Sequence, residues 1–126
     1  MGFDFNNYES FGKKIGANTV APPQEEHFRN SISRGYYSFY HKVKIHFGYT
    51  DGQKINHAEL ASKLLNDDSL KYAERLSNLM FSMIDDRVDA DYFRTPRKGK
   101  VFNKYFYDRF WGTYNWCVNA LKEKKD

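Results

Sequence analysis

Apolar residues recur at three- and four-residue steps through most of the chain, and that spacing predicts helices. Plotted at about 100° per residue, Ile32, Tyr36, Phe39, Val43 and Phe47 form one stripe, so a helix is expected from about 24 to 47. Glu25 and Glu26 suit its first turn and Gly48 its end. Before it, Tyr8, Phe11 and Ile15 fit a short first helix, closed by Gly16-Ala17-Asn18 and followed by the connector Thr19 to Pro23. After it, Asp51-Gly52 marks a turn, and Asn56 with Glu59 reads as the capped start of a short helix ending near 66–68. Asp68 or Ser69 is the expected cap of the next helix, whose stripe is Ala73, Leu76, Met80, Met83 and Ile84. Arg87 and Asp91 continue that stripe one step apart, as an ion pair at the helix end would. A last helix is expected from near Phe102, with Phe106, Phe110, Tyr114, Cys117 and Leu121 on its core face and a fraying tail over 122–126. No strand-like alternation persists, so the expected fold is all-α, an antiparallel bundle of four or five helices.

The length of 126 residues fits one domain spanning 1–126. Eleven Phe, ten Tyr and two Trp let a small core bury much area with few side chains. The net charge of +4 is compatible with a nucleic-acid partner without requiring one. Cys117 is the single cysteine, which excludes an intrachain disulfide and suits a reducing compartment. There is no membrane-span-length apolar run and no signal-peptide pattern, so a cytoplasmic protein is expected.

The 24–47 helix carries a second pattern. His27, Asn30, Arg34, Ser38, His41 and Ile45 fall opposite the core stripe. Arg34 and His41 are seven residues apart, so their directions differ by only about 20°. Ile45 on the same line is an apolar residue where a monomer would place a charge. The arrangement predicts a face that something covers and that carries polar chemistry.

The stretch Ser33-Arg34-Gly35-Tyr36-Tyr37-Ser38-Phe39-Tyr40-His41 resembles the second-helix signature of the HEPN superfamily, small helical domains in which an arginine is followed after four to six residues by a histidine. The Tyr36-Tyr37 pair matches one large branch, and Asn56-His57-Ala58-Glu59-Leu60 and Arg87-Val88-Asp89-Ala90-Asp91-Tyr92 fit as well, so the similarity covers roughly 24–122. The resemblance implies a helical bundle, a homodimer, and metal-independent cleavage of RNA by Arg34 and His41 at the dimer interface. It also implies a setting as a toxin or antiviral-defence effector, with an antitoxin or a nucleotidyltransferase as a further partner. Some members are non-catalytic nucleotide- or protein-binding modules, and a structural helical adaptor is a third reading.

The residue chemistry is compatible with that activity. A guanidinium holds phosphate with a fork of donors, and an imidazole moves protons near neutral pH. RNA carries its own nucleophile, so no cofactor is called for. On one helix Arg34 and His41 are about 10 Å apart along the axis, too far to grip one phosphate without long reach. Antiparallel crossing of two copies near Tyr37 and Ser38 would bring Arg34 of each chain to His41 of the other, with Ile45 in the interface. Tyr37 has two readings, base stacking or packing between protomers. Asn30 and Ser38 have two as well, orienting Arg34 and ribose or serving as interface polar groups. Gly35 costs about 1 kcal/mol of helix propensity against Ala, which a close approach would justify and drift would also explain. The basic run Arg94, Arg97, Lys98 and Lys100 either steers a polyanion or is only solvated. His41 and His46 point in different directions, and no recognised metal-ligand spacing occurs, so no metal is expected.

Overall fold

The helix expected over 24–47 packs against both later long helices, and the short helix between packs mainly on the first of those two. The computed structural model describes residues 25–50, 52–92 and 97–126. The expected first helix and connector, and Arg94, lie outside these residues. Among them are four α-helices, α1 (Glu25–His46), α2 (His57–Leu65), α3 (Ala73–Tyr92) and α4 (Lys104–Ala120), with a 3-10 turn at Arg97–Gly99. The only strand-like pairing among the described residues is an isolated bridge between Leu70 and Lys124. No helix among the described residues is long and apolar enough to cross a membrane.

The predicted stripes form the core. Ile32, Tyr36, Phe39 and Val43 of α1, Leu76, Met80 and Met83 of α3, and Phe110, Tyr114 and Cys117 of α4 are all buried. Gly48 ends α1 at φ +81. Its amide donates to the Ile45 carbonyl at 2.9 Å and the Tyr49 amide to the Lys44 carbonyl at 2.9 Å, the paired bonds of a Schellman cap. Asn56 and Asn103 cap α2 and α4 by accepting from the Glu59 amide at 3.1 Å and the Phe106 amide at 2.9 Å.

Helix direction follows from paired contacts. Arg29 near the start of α1 donates to the carbonyls of Asp89 and Ala90 near the end of α3, while His46 at the end of α1 meets Asp67 just before α3, so α1 and α3 are antiparallel. Along α4 the contacts advance with α1. Phe28 meets Tyr107, Ser31 meets Trp111 and Ser38 meets Tyr114, so these two helices run the same way.

Three boundaries differ from the sequence expectation. α3 starts at Ala73 because Asp67 folds the chain into a turn first, its Oδ1 accepting the Ser69 amide at 3.0 Å and hydroxyl at 2.6 Å, and Leu70 drops into the core. α4 starts at Lys104 because Phe102 turns inward, under the Arg29 guanidinium at 4.7 Å and against Phe106, leaving Asn103 as the cap. The C-terminal tail does not fray at 123–125. The Lys71 amide donates to the Glu123 carbonyl at 3.1 Å and the Lys125 amide to the Ser69 carbonyl at 2.9 Å, tying the tail to the α2–α3 turn.

Candidate functional site

α1 has neighbours on two sides. α3 covers the side of Arg29, Ser33 and Tyr36, and α4 covers the side of Phe28, Ser31, Gly35 and Ser38. Among the described residues, no other helix covers the line through Asn30, Arg34, Tyr37, His41 and Ile45. Asn30 is exposed, Arg34, Tyr37 and His41 are half-buried, and Ile45 is 56% exposed. The structure therefore keeps the expected Arg34–His41 line. The two residues remain about 10 Å apart along the helix within one chain.

Ser38 leaves that line. It is fully buried, and its hydroxyl shares a 2.8 Å hydrogen bond with the Tyr114 hydroxyl. Ser31 is buried in the same way, accepting from Trp111 Nε1 at 3.1 Å. Gly35 lies between them. A Cβ there would stand 2.7 Å from Phe110 Cε1 and 2.8 Å from Trp111 Cη2. The glycine next to Arg34 is explained by the close passage of α4.

The basic run meets carboxylates from α3. Arg97 Nε donates to Asp89 Oδ1 at 2.7 Å, Lys98 Nζ to Asp85 Oδ2 at 3.1 Å, and Lys100 Nζ lies 2.5 Å from Asp89 and 3.0 Å from Asp86. Asp89 is fully buried, and burial alone would raise its carboxyl. The Arg97 and Lys100 hydrogen bonds outweigh that and hold it below the ordinary value. These three cations pin the 97–100 segment to α3.

A polar cluster that the sequence reading did not assemble lies beside Tyr37. Arg87 of α3 is 6% exposed, and its guanidinium carbon sits 5.7 Å from the Tyr36 ring centre, 5.1 Å from Tyr37 and 5.7 Å from Tyr92. Its NH2 group is 3.3 Å from His57 Nε2. Arginine can only donate, so Nε2 accepts and the ring proton is on Nδ1. Nδ1 then donates to the Tyr36 hydroxyl at 2.6 Å. Burial, and then the Arg87 charge, hold His57 below its ordinary pKa, so the imidazole is neutral at pH 7. Tyr40 lies against the same ring at 4.5 Å. The signal in the sequence was a charged residue, Arg87, on the apolar stripe of α3. The i,i+4 partner Asp91 is 3.8 Å away, beyond hydrogen-bond reach, and the closer contact comes from His57 of another helix.

Among the described residues, no group of three or more His, Cys, Asp or Glu could hold a metal ion. No protein-family model, curated protein or solved structure matches the chain.

Proposed function

We propose that the protein is a metal-independent endoribonuclease that works as a homodimer through the Arg34–His41 line of α1. One observation carries the reading. Arg34 and His41 share that line with Ile45, which is 56% exposed although it belongs to a helix whose other sides are packed. The likeness of 33–41 to the HEPN signature supports the same residues.

In this reading two α1 helices cross antiparallel near Tyr37, and Arg34 of one protomer faces His41 of its partner across the axis. Arg34 binds the scissile phosphate and steadies the charge that develops on its oxygens. The ribose 2′-hydroxyl attacks phosphorus as the bond to the 5′-oxygen breaks. His41 moves the protons, off the 2′-oxygen or onto the leaving 5′-oxygen. The products are a 2′,3′-cyclic phosphate and a 5′-hydroxyl. Tyr37 at the edge of the line stacks on a base or packs between protomers, and Asn30 contacts ribose or Arg34. Ser38 supports α1 from within the core. A setting in defence or as a toxin, with an antitoxin, follows from the family likeness alone.

Incubation of the purified protein with RNA in EDTA tests the reading. Cleavage should persist and leave cyclic phosphate ends, and a 2′-deoxy substitution at the cut site should stop it. Cleavage at the deoxy site, or a strict need for Mg²⁺, contradicts this mechanism.

A further inference from the structure

We infer that Arg87 and His57 form a binding site for a phosphate group, separate from the Arg34–His41 line and next to it through Tyr37. The inference stands on the surroundings of Arg87 and does not rest on the ribonuclease reading.

A buried guanidinium is normally met by short, charge-assisted bonds of about 2.7–2.9 Å. Arg87 has none. Its Nε has no hydrogen-bond partner, its NH1 reaches the Tyr92 hydroxyl only at 3.4 Å, and its NH2 reaches neutral His57 only at 3.3 Å. The nearest carboxylate, Asp91 Oδ2, is 3.8 Å from NH1 and accepts instead from the Ser33 hydroxyl at 3.2 Å. The charge is thus surrounded by aromatic faces and long contacts, with donor capacity unused.

An oxyanion with several acceptor oxygens completes such a site. Both groups on NH1 belong to exposed residues at the last turn of α3, Asp91 and the 70% exposed Tyr92. A phosphate oxygen replacing the Tyr92 hydroxyl would gain a short bond to NH1. His57 could then release Nε2 from its acceptor role, take up a proton and donate to the same anion. The titratable and charged groups facing His57 are Tyr36, Tyr37, Tyr40 and Arg87, and those facing Arg87 from α3 are Asp91 and Tyr92. Lys44, over the Tyr40 ring, lies beyond them. Among the described residues Asp91 is the one carboxylate paired with Arg87, and it opposes an incoming anion.

The test follows the His57 imidazole by NMR in the full chain, titrated with inorganic phosphate against chloride of equal ionic strength. Parallel arms use adenosine monophosphate and a diribonucleotide whose only phosphate is the internal diester. The expected result is a saturable shift of the His57 signals and a higher His57 pKa with ligand than with chloride. The arm with the tighter midpoint tells a phosphomonoester from an RNA backbone. Arg87→Gln should weaken the midpoint by about tenfold or more, the loss of a charge-assisted bond. Asp91→Asn should tighten it several-fold by removing repulsion, whereas a purely structural Asp91 would give no tightening. Wild-type His57 signals that respond identically to chloride and to all three phosphate probes overturn the inference, whatever the variants do.

Discussion

Gly35→Ala inserts a methyl group where α1 and α4 leave no room for one. The new carbon would lie 2.7 Å from Phe110 Cε1 and 2.8 Å from Trp111 Cη2, and both rings are buried. Helix propensity alone favours the alanine by about 1 kcal/mol. Overpacking a filled core costs about 1–3 kcal/mol. Moving the Trp111 ring also strains its 3.1 Å bond to Ser31, and a buried hydrogen bond is worth about 1 kcal/mol. The losses exceed the gain, so the variant should be less stable by about 1–3 kcal/mol. Urea unfolding reads this directly, as a midpoint lower by about 1 M at the slopes typical of small domains. An unchanged or higher midpoint would show that the α1–α4 contact is looser than described. A stable variant that lost only RNA cleavage would mean that the glycine serves substrate approach instead.

Ser38→Ala should cost about 0.5–1.5 kcal/mol, because the buried hydrogen bond between the Ser38 and Tyr114 hydroxyls is lost, while cleavage per folded molecule stays at the wild-type level; urea unfolding beside an activity assay checks both. Asp67 gives a pH dependence. Burial would raise its carboxyl, but the Ser69 hydroxyl and amide and His46 at 2.7 Å outweigh that and lower it from 3.8 to about 2. A lowered folded-state pKa stabilises the protein above the unfolded value, so this contribution is present above pH 3.8 and fades as pH falls towards about 2. Asp67→Ala should flatten the melting temperature across that window, and an unchanged slope would refute the assignment. Ile45→Glu should still unfold cooperatively in urea, as expected of a position exposed within one chain, yet give a monomer by sedimentation with no ribonuclease activity.

The core was legible in the sequence because each stripe faces one neighbour. Ile32, Tyr36, Phe39 and Val43 are large and apolar, and Leu76, Met80, Phe110 and Tyr114 answer them at helical spacing. A two-face reading of α1 failed at Ser38 because α1 has a second neighbour. The contact with α4 is made of Ser31, Gly35 and Ser38, small residues that resemble surface positions until the Trp111 and Tyr114 polar groups that meet them are known. The Arg34–His41 line was legible because it depends only on spacing within one helix. The Arg87–His57 contact was not, since it joins two helices thirty residues apart in sequence. The charge run at 97–100 hid its counter-charges, which lie in the last two turns of α3 as Asp85, Asp86 and Asp89.

The central claim is that each site is shared between two chains, and mixing two dead variants tests it most directly. Arg34→Ala homodimers lack both arginines and His41→Ala homodimers lack both histidines, so each alone should be inactive. A mixed dimer keeps Arg34 of one chain opposite His41 of the other at one of its two sites. With free subunit exchange at equal amounts, half the dimers are mixed, so the account predicts recovery of about a quarter of wild-type activity. Exchange that is shown by a labelled subunit but restores no cleavage would contradict the composite site, as would full activity in either variant alone.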